Sequence, residues 1–255
     1  MEDIHIVTYA THNEGSYNEL MKSNIVKNLG WGKKWNGFKD KFIAIEKYTK
    51  NLVDIGKGHD IVIFVDGFDT KIRKNFDINQ IVENFYNIVG EEGGILVSND
   101  PMLASFTRRI FGTCKNNCIA NTGLYMGNAW KLNQLLKESL EYKCKDDQIV
   151  FNNLCEKHEV HIDYNNTIFK NLNYGEKEDF RESFFIQTPG KISYNRYYRA
   201  LFEYSQFFIL YIILSYSFII YLIVKNNHKK RTNHIILLAV LLFILFYYNI
   251  DKSCI

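Results

Sequence analysis

Two carboxylates stand three residues apart in Phe64-Val65-Asp66-Gly67-Phe68-Asp69, directly after the uncharged stretch Ile61-Val62-Ile63-Phe64-Val65. An unbroken apolar run of that length, bounded by acids, reads as a strand buried on both faces. In open α/β sheets, ligands bind beyond the carboxyl ends of the strands. Asp66 stands at such an end, and Asp69 follows one tight turn later. Two carboxylates so placed can hold a hard divalent cation through oxygen and leave positions for phosphate oxygens and water. An ion there would neutralise a leaving diphosphate. Acids are also common in loops after strands, so the spacing alone does not separate a metal site from a solvated turn.

A second acidic pair, Asp146-Asp147, precedes a helical pattern. Adjacent carboxylates at a helix start can bind sugar hydroxyls or stabilise positive charge developing at a reacting carbon. They serve equally well as an N-cap and its neighbour, favoured by the helix dipole. Asn121, before Thr122-Gly123, can donate to a hydroxyl or simply make a turn.

The elements that must position these groups alternate. Ile4–Ala10 is apolar and β-rich, and residues 38–55 show helical spacing in Phe38, Phe42, Ile45, Leu52 and Ile55. The Asp60–Asp66 strand follows, then a helical pattern over 78–89, a strand over Gly94–Ser98, a strand over Thr122–Gly127 and a helix over Ala129–Leu140. Strands alternating with helices predict an α/β fold with a mainly parallel central sheet and flanking helices. Residues 1–200 are enough for one such domain.

The remaining residues, 201–255, differ in kind. Residues 204–224 carry no charge, and 21 residues of helix span about 30 Å, the thickness of a bilayer core. A basic stretch with Lys225, Lys229, Lys230 and Arg231 leads to a second apolar run, 235–250. Both runs are apolar on every face, unlike an amphipathic soluble helix. They predict a C-terminal transmembrane helical hairpin that anchors the first domain to a membrane.

Met1-Glu2-Asp3-Ile4-His5 shows no basic region followed by a long apolar run, so no leader peptide is expected. The basic linker argues for a cytoplasmic loop. Lys191, Arg196 and Arg199 flank the other side of the first span, and some 200 residues would otherwise have to be translocated. The expectation is therefore a catalytic domain in the cytoplasm. The sequon Asn165-Asn166-Thr167 has meaning only in the opposite orientation.

The net charge of +3 disfavours nucleic acid as a partner. Among the five cysteines there is no zinc-ligand spacing. Cys114 and Cys118 either bridge in an oxidising compartment or remain separate thiols.

The order of motifs along the chain resembles the glycosyltransferase domain at the N-terminus of the multifunctional procollagen lysyl hydroxylases. The likeness runs through Leu29-Gly30-Trp31-Gly32-Lys33-Lys34-Trp35-Asn36-Gly37, Lys41 and Phe64–Asp69. It continues in Asn121-Thr122-Gly123-Leu124-Tyr125-Met126-Gly127, similar to that family's N-S-G-G-F-I-G, and in Asp146-Asp147-Gln148, similar to its D-D-Q. It ends in Ile162-Asp163-Tyr164 and Ile168–Asn173. Each match is unspecific; in order over residues 4–200 they are strong. The hydroxylase domain of that family is not expected, since no length remains for it.

This resemblance implies a GT-A fold that binds a UDP-sugar with Mn²⁺ (or Mg²⁺). It implies Asp66 and Asp69 as metal ligands, and Thr8 and Thr11 on the loop that holds the nucleotide. Lys41 would lie near the diphosphate, although on sequence alone it reads as a solvated helix lysine. Asp146, Asp147 and Asn121 would face sugar and acceptor. Two departures stand out. Phe68 occupies a position where the family has Tyr, keeping a ring to stack on uracil but losing the hydroxyl. Gln187 stands where an H-G-N-G-like segment places the histidine that completes the metal site, and an amide oxygen is a weaker ligand.

The reading is a hexosyltransferase moving glucose or galactose from a UDP-sugar to a hydroxyl acceptor on protein or glycan, possibilities that include hydroxylysine. The alternative is a catalytically degenerate membrane protein that binds nucleotide-sugar or glycan without turnover.

Overall fold

A computed structural model describes residues 2–75, 77–100, 111–172, 176–181 and 183–188, together with Ser217 and Tyr221. The chain divides into Met1–Lys191 and Ile192–Ile255; the account below concerns the first part. Of the apolar runs 204–224 and 235–250, only Ser217 and Tyr221 are described. The expected anchor therefore lies outside the described residues. Among the described residues, no helix is long and apolar enough to cross a membrane.

The elements expected from the sequence are present, and among the described residues the first part holds nine strands and five helices. They are β1 (Ile4–Thr8), α1 (Tyr17–Met21), β2 (Val26–Asn28), α2 (Lys39–Asp54), β3 (Ile61–Val65), β4 (Thr70–Ile72), α3 (Ile78–Val89), β5 (Ile95–Asn99), β6 (Ala120–Asn128), α4 (Ala129–Glu141), α5 (Asp147–Leu154), β7 (His161–Asp163), β8 (Phe169–Asn171) and β9 (Phe185–Gln187). Six strands form the central sheet in the order β2-β1-β3-β6-β5-β7. Strands β4, β9 and β8 form a second, three-stranded sheet.

The central sheet is mixed, which corrects the expectation of a mainly parallel one. β1 pairs parallel with β2 and β3, and β5 pairs parallel with β7, but β6 runs antiparallel to both its neighbours, β3 and β5. The sequence conceals this because every residue of β6 is buried. A strand buried on both faces shows no alternation of polar and apolar residues from which its direction could be read.

Two cores cover the two faces. Val7, Val62, Phe64, Val97 and Tyr125 turn toward Phe42 and Ile45 of α2 and Leu132 and Leu136 of α4. The alternate residues Ile6, Ile63, Val65, Leu96 and Leu124 turn toward Phe85 of α3 and Phe169 and Phe185 of the small sheet. This is the strand period of two read on both faces. Helix α3 starts where Asp77 accepts a hydrogen bond from the Asn79 N–H at 2.9 Å, a side-chain N-cap.

A disulfide joins Cys114 to Cys155, with Cα atoms 5.2 Å apart, a spacing that suits a bridge. The bridge that was conceivable between Cys114 and Cys118 is not made: Cys118 is a free thiol.

Candidate active site

Thr8, Asp66 and Asp100 follow or end the parallel strands β1, β3 and β5, and the reversed strand β6 begins at the same edge of the sheet. The turn after β3 needs glycine for room. A Cβ on Gly67 would lie 2.8 Å from the Ala10 Cβ and 2.9 Å from the Thr8 Oγ1. Absence of a side chain lets the turn that carries Asp66 and Asp69 pass close to the end of β1.

Asp66 is tied down by its backbone. Its N–H donates to the Gly123 carbonyl at 2.8 Å, and its Oδ1 accepts from the Phe68 N–H at 3.4 Å. The Asp69 carbonyl accepts from the Thr188 N–H at 2.9 Å, which binds this turn to the segment just after Gln187. Within the small sheet, Gln187 pairs with Thr70 of β4 and Asn171 of β8. The Gln187 side chain is buried against Gly123 and fills the space a Cβ there would need.

The centre of the site is a buried ammonium. Lys41, in the first turn of α2, places its Nζ 2.7 Å from Asp147 Oδ2 and 3.9 Å from Asp66 Oδ2. Lys41 is only 7% exposed and Asp147 5%. The same Asp147 oxygen accepts from the Thr122 hydroxyl at 3.1 Å. Burial pushes the Lys41 ammonium down, but the carboxylates of Asp147 and Asp66 outweigh it and hold its pKa above the ordinary lysine value. The solvated-lysine reading of Lys41 is therefore not what the fold builds. Beneath the pair, burial and the nearby Asp147 charge push the Tyr125 phenol well above its usual value.

The two adjacent acids diverge. Asp146 caps α5, its Oδ1 accepting from the Ile149 N–H at 3.0 Å, while Asp147 turns inward to Lys41. Asn121 uses both ends of its amide: Oδ1 accepts from the Gly123 N–H at 2.9 Å and Nδ2 donates to Asp100 Oδ2 at 3.1 Å. Gln148 donates to that same Asp100 oxygen at 3.1 Å. Asp100 was not singled out in the sequence. The signal for it was the one that exposed Asp66, an acid at the carboxyl end of an apolar strand run.

The nucleotide-loop candidates lie at the end of β1. The Thr8 hydroxyl donates inward to the Val65 carbonyl at 2.7 Å and so locks β1 to β3. Thr11 is partly exposed; its hydroxyl meets His12 Nδ1 at 2.9 Å and its carbonyl accepts from the Gly32 N–H at 3.0 Å. The Phe68 ring, partly exposed, lies 5.1 Å from the His12 ring. Above this loop the aromatic stretch folds back: Trp31 stacks on Tyr17 at 5.1 Å and Trp35 meets Phe38 edge-on at 5.7 Å.

Does this set fit a divalent cation? Among the described residues, no group of three or more His, Cys, Asp or Glu side chains is placed to hold a metal ion. The chain offers two carboxylates, Asp66 and Asp69, and the amide of Gln187. Gln187 Oε1 is buried and has no hydrogen-bond partner among the described residues. A buried carbonyl oxygen without a donor costs about 1–3 kcal/mol, and a cation or water would remove that cost. An all-oxygen set suits a hard ion such as Mg²⁺ or Mn²⁺. The residues fit the group.

Among curated proteins none matches the chain. Among solved structures, a glycosyltransferase involved in glycosylation of the major capsid of PBCV-1 aligns with a TM-score of 0.51 and 9% identity, over 74% of this chain and 95% of that one. Galactosyltransferase LgtC in complex with donor and acceptor sugar analogs aligns at 0.44 with 14% identity, over 73% and 87%. A197 from STIV aligns at 0.40 with 11% identity, over 64% and 81%. Of these three only the first exceeds one half, and it speaks to the fold alone. The family model described as PLOD GT domain matches residues 1–199. The chain thus belongs to the PLOD GT domain family, glycosyltransferases of the GT-A type.

Proposed function

We propose that this chain transfers a hexose, glucose or galactose, from a UDP-sugar to a hydroxyl on a protein or glycan acceptor. The observation that carries the reading is the convergence of Asp66, Lys41 and Asp147 at the end of the sheet where α/β proteins bind ligands. Asp66, Asp69 and Gln187 would hold Mn²⁺ or Mg²⁺, which supplies positive charge to the leaving diphosphate. The Lys41 ammonium adds a fixed charge close by, preorganised by burial. Phe68 offers a ring to the uracil. Asp147, held by Lys41 and Thr122, and Asn121, held by Gly123, form the polar wall for the sugar. Asp146 supports that wall as the cap of α5. Thr8 and Thr11 shape the loop on the nucleotide side.

The degenerate reading rests on one observation, the amide of Gln187 in a place where the family has an imidazole. On either reading we place the domain on a membrane through residues 201–255.

A thermal-shift series with UDP-glucose and UDP-galactose, with and without Mn²⁺, tests the proposal, because a bound ligand raises apparent stability by mass action. Stabilisation that needs both components, and UDP release on adding acceptor, is the expected result. Asp66→Ala and Asp69→Ala should lose both while melting near the parent temperature. Binding without UDP release would support the degenerate reading. No stabilisation by either sugar nucleotide in Mn²⁺ would refute both.

A further inference from the structure

We propose that Asn165 carries an N-linked glycan, and that residues 1–200 accordingly face a lumen that glycosylates and oxidises proteins. Asn165-Asn166-Thr167 is the only Asn-x-Ser/Thr triplet in the 255 residues. Such triplets also arise by chance. What distinguishes this one is its place in the fold and its agreement with two other features of the chain.

The triplet forms the turn after β7. Asn165 is exposed, while Asn166 and Thr167 are half-buried. The buried Asp163 carboxylate accepts from the N–H groups of Thr167 at 2.8 Å, Ile168 at 2.7 Å and Phe169 at 2.9 Å. Asn166 is the left-handed residue of the turn, with φ 54°, and its N–H donates to the Asp163 carbonyl at 3.3 Å. The Asn166 carbonyl in turn accepts from the Ser183 hydroxyl at 2.7 Å. Asparagine often enters a turn because its own side chain completes it. Here Asp163 and Asn166 fill that role, and Asn165 stands outside it. Strand β7 is also the outermost of the central sheet, three places from β3. At the usual strand spacing the two lie roughly 14 Å apart, so a glycan on this turn leaves the turn after β3 open.

The second feature is the Cys114–Cys155 bridge. Disulfides persist in oxidising compartments and are rare in the cytosol. The third is the linker between the two apolar runs. It holds four basic residues, Lys225, Lys229, Lys230 and Arg231, against the three ahead of the first run, Lys191, Arg196 and Arg199. The loop richer in Lys and Arg stays in the cytoplasm. With one span on each side of a cytoplasmic linker, residues 1–200 emerge on the opposite face. That side is opposite to the one expected from the sequence, where the cost of translocating some 200 residues outweighed the linker.

The donor is a lipid-diphosphate oligosaccharide, used by a transferase resident in that lumen. Asn165 Nδ2 bonds to the sugar C1 as the C1–O bond to the diphosphate breaks. The lipid diphosphate leaves with the electron pair, and the Nδ2 proton passes to a base of that transferase. Attachment precedes folding, because in the folded chain the Thr167 hydroxyl is engaged by Asp163.

The test is translation of the full-length chain with endoplasmic-reticulum microsomes. A slower band should appear, withstand added protease, and collapse on treatment with peptide N-glycosidase. Asn165→Gln and Thr167→Ala should abolish that band, and Thr167→Ser, which keeps the hydroxyl, should retain it. Cys114 and Cys155 of the microsomal product should resist alkylation until a reductant is added. A parent chain without a glycosidase-sensitive band overturns the proposal, whether or not it is protected from protease. So does a glycan that survives Asn165→Gln. Alkylation of both cysteines without reductant would remove the oxidising lumen.

Discussion

Gly123 and Gln187 compete for one volume: the Gln187 side-chain amide lies 2.1 to 2.5 Å from the point where a side chain on residue 123 would begin. Glycine in Asn121-Thr122-Gly123 is therefore a requirement of the small sheet docking against β6, beyond any backbone preference. Gly123→Ala should displace Gln187 and destabilise the domain by about 1–3 kcal/mol. It should also weaken Mn²⁺ binding, since Gln187 is a proposed ligand. Gly123→Ala/Gln187→Ala restores the room. We expect it to recover most of the melting temperature but none of the metal affinity. Coupling between the two changes in a double-mutant cycle is the measurement, and strict additivity would rule out the contact.

That contact also marks how far the sequence could be read. The long apolar run of β3, the amphipathic spacing of α2 and α3, and the acid at the end of β3 were all visible, because burial on one or two faces imprints a period. Strands β4, β8 and β9 have three residues each, too few for any period. The meeting of Gln187 with Gly123 across two sheets therefore left no local trace. Asp147 and Asp146 were legible as a pair but not in their division of labour, since which acid caps α5 and which turns to Lys41 depends on a helix a hundred residues earlier. The reversal of β6 was hidden by its complete burial. The partner of Cys114 could not be chosen, because the Cα spacing that decides it is set by the fold.

Asp100 shows the same limit from the other side. Its Oδ2 is held by Asn121, 21 residues away, and Gln148, 48 residues away. Two amides orient this carboxylate, an arrangement that suits hydrogen bonding to a sugar hydroxyl. Asp100→Ala should lower transfer by about ten- to a hundredfold, the worth of a hydrogen bond to a charged group, with UDP and Mn²⁺ affinities unchanged. Gln148→Ala should do the same more weakly, and Gln148→Glu more strongly, because it sets two like charges together. Loss of UDP affinity in Asp100→Ala would move this residue from the sugar side of the site to the nucleotide side.

The buried pair has a signature in alkali. The folded-state pKa of Lys41 is raised, so the unfolded chain loses this proton first as pH rises. The folded state then binds more protons than the unfolded one, and stability falls with pH. The contribution is complete below the unfolded lysine value of about 10.4 and is lost as pH passes through the higher folded value. Urea melts between about pH 9 and 12 should therefore fall more steeply for the parent than for Lys41→Met/Asp147→Asn. Other lysines titrate in both proteins and cancel in the comparison. Parallel curves would mean that the pair contributes nothing net to folding.

Removing residues 201–255 tests the division of the chain. Every candidate site residue lies at or before Gln187, and the family match ends at residue 199. The two compact units of the chain meet between Lys191 and Ile192 in sequence. The two apolar runs carry none of these groups, and in water they would present surface prone to aggregation. A chain ending at residue 200 should accordingly be soluble and bind UDP with Mn²⁺ as the full-length protein does in detergent. The full chain, in turn, should stay with membranes through carbonate extraction. Full-length protein recovered in the soluble fraction would remove the anchor. A truncated chain that precipitates, or that stays soluble but no longer binds UDP, would show that the C-terminal residues complete the domain and are not a tether for it.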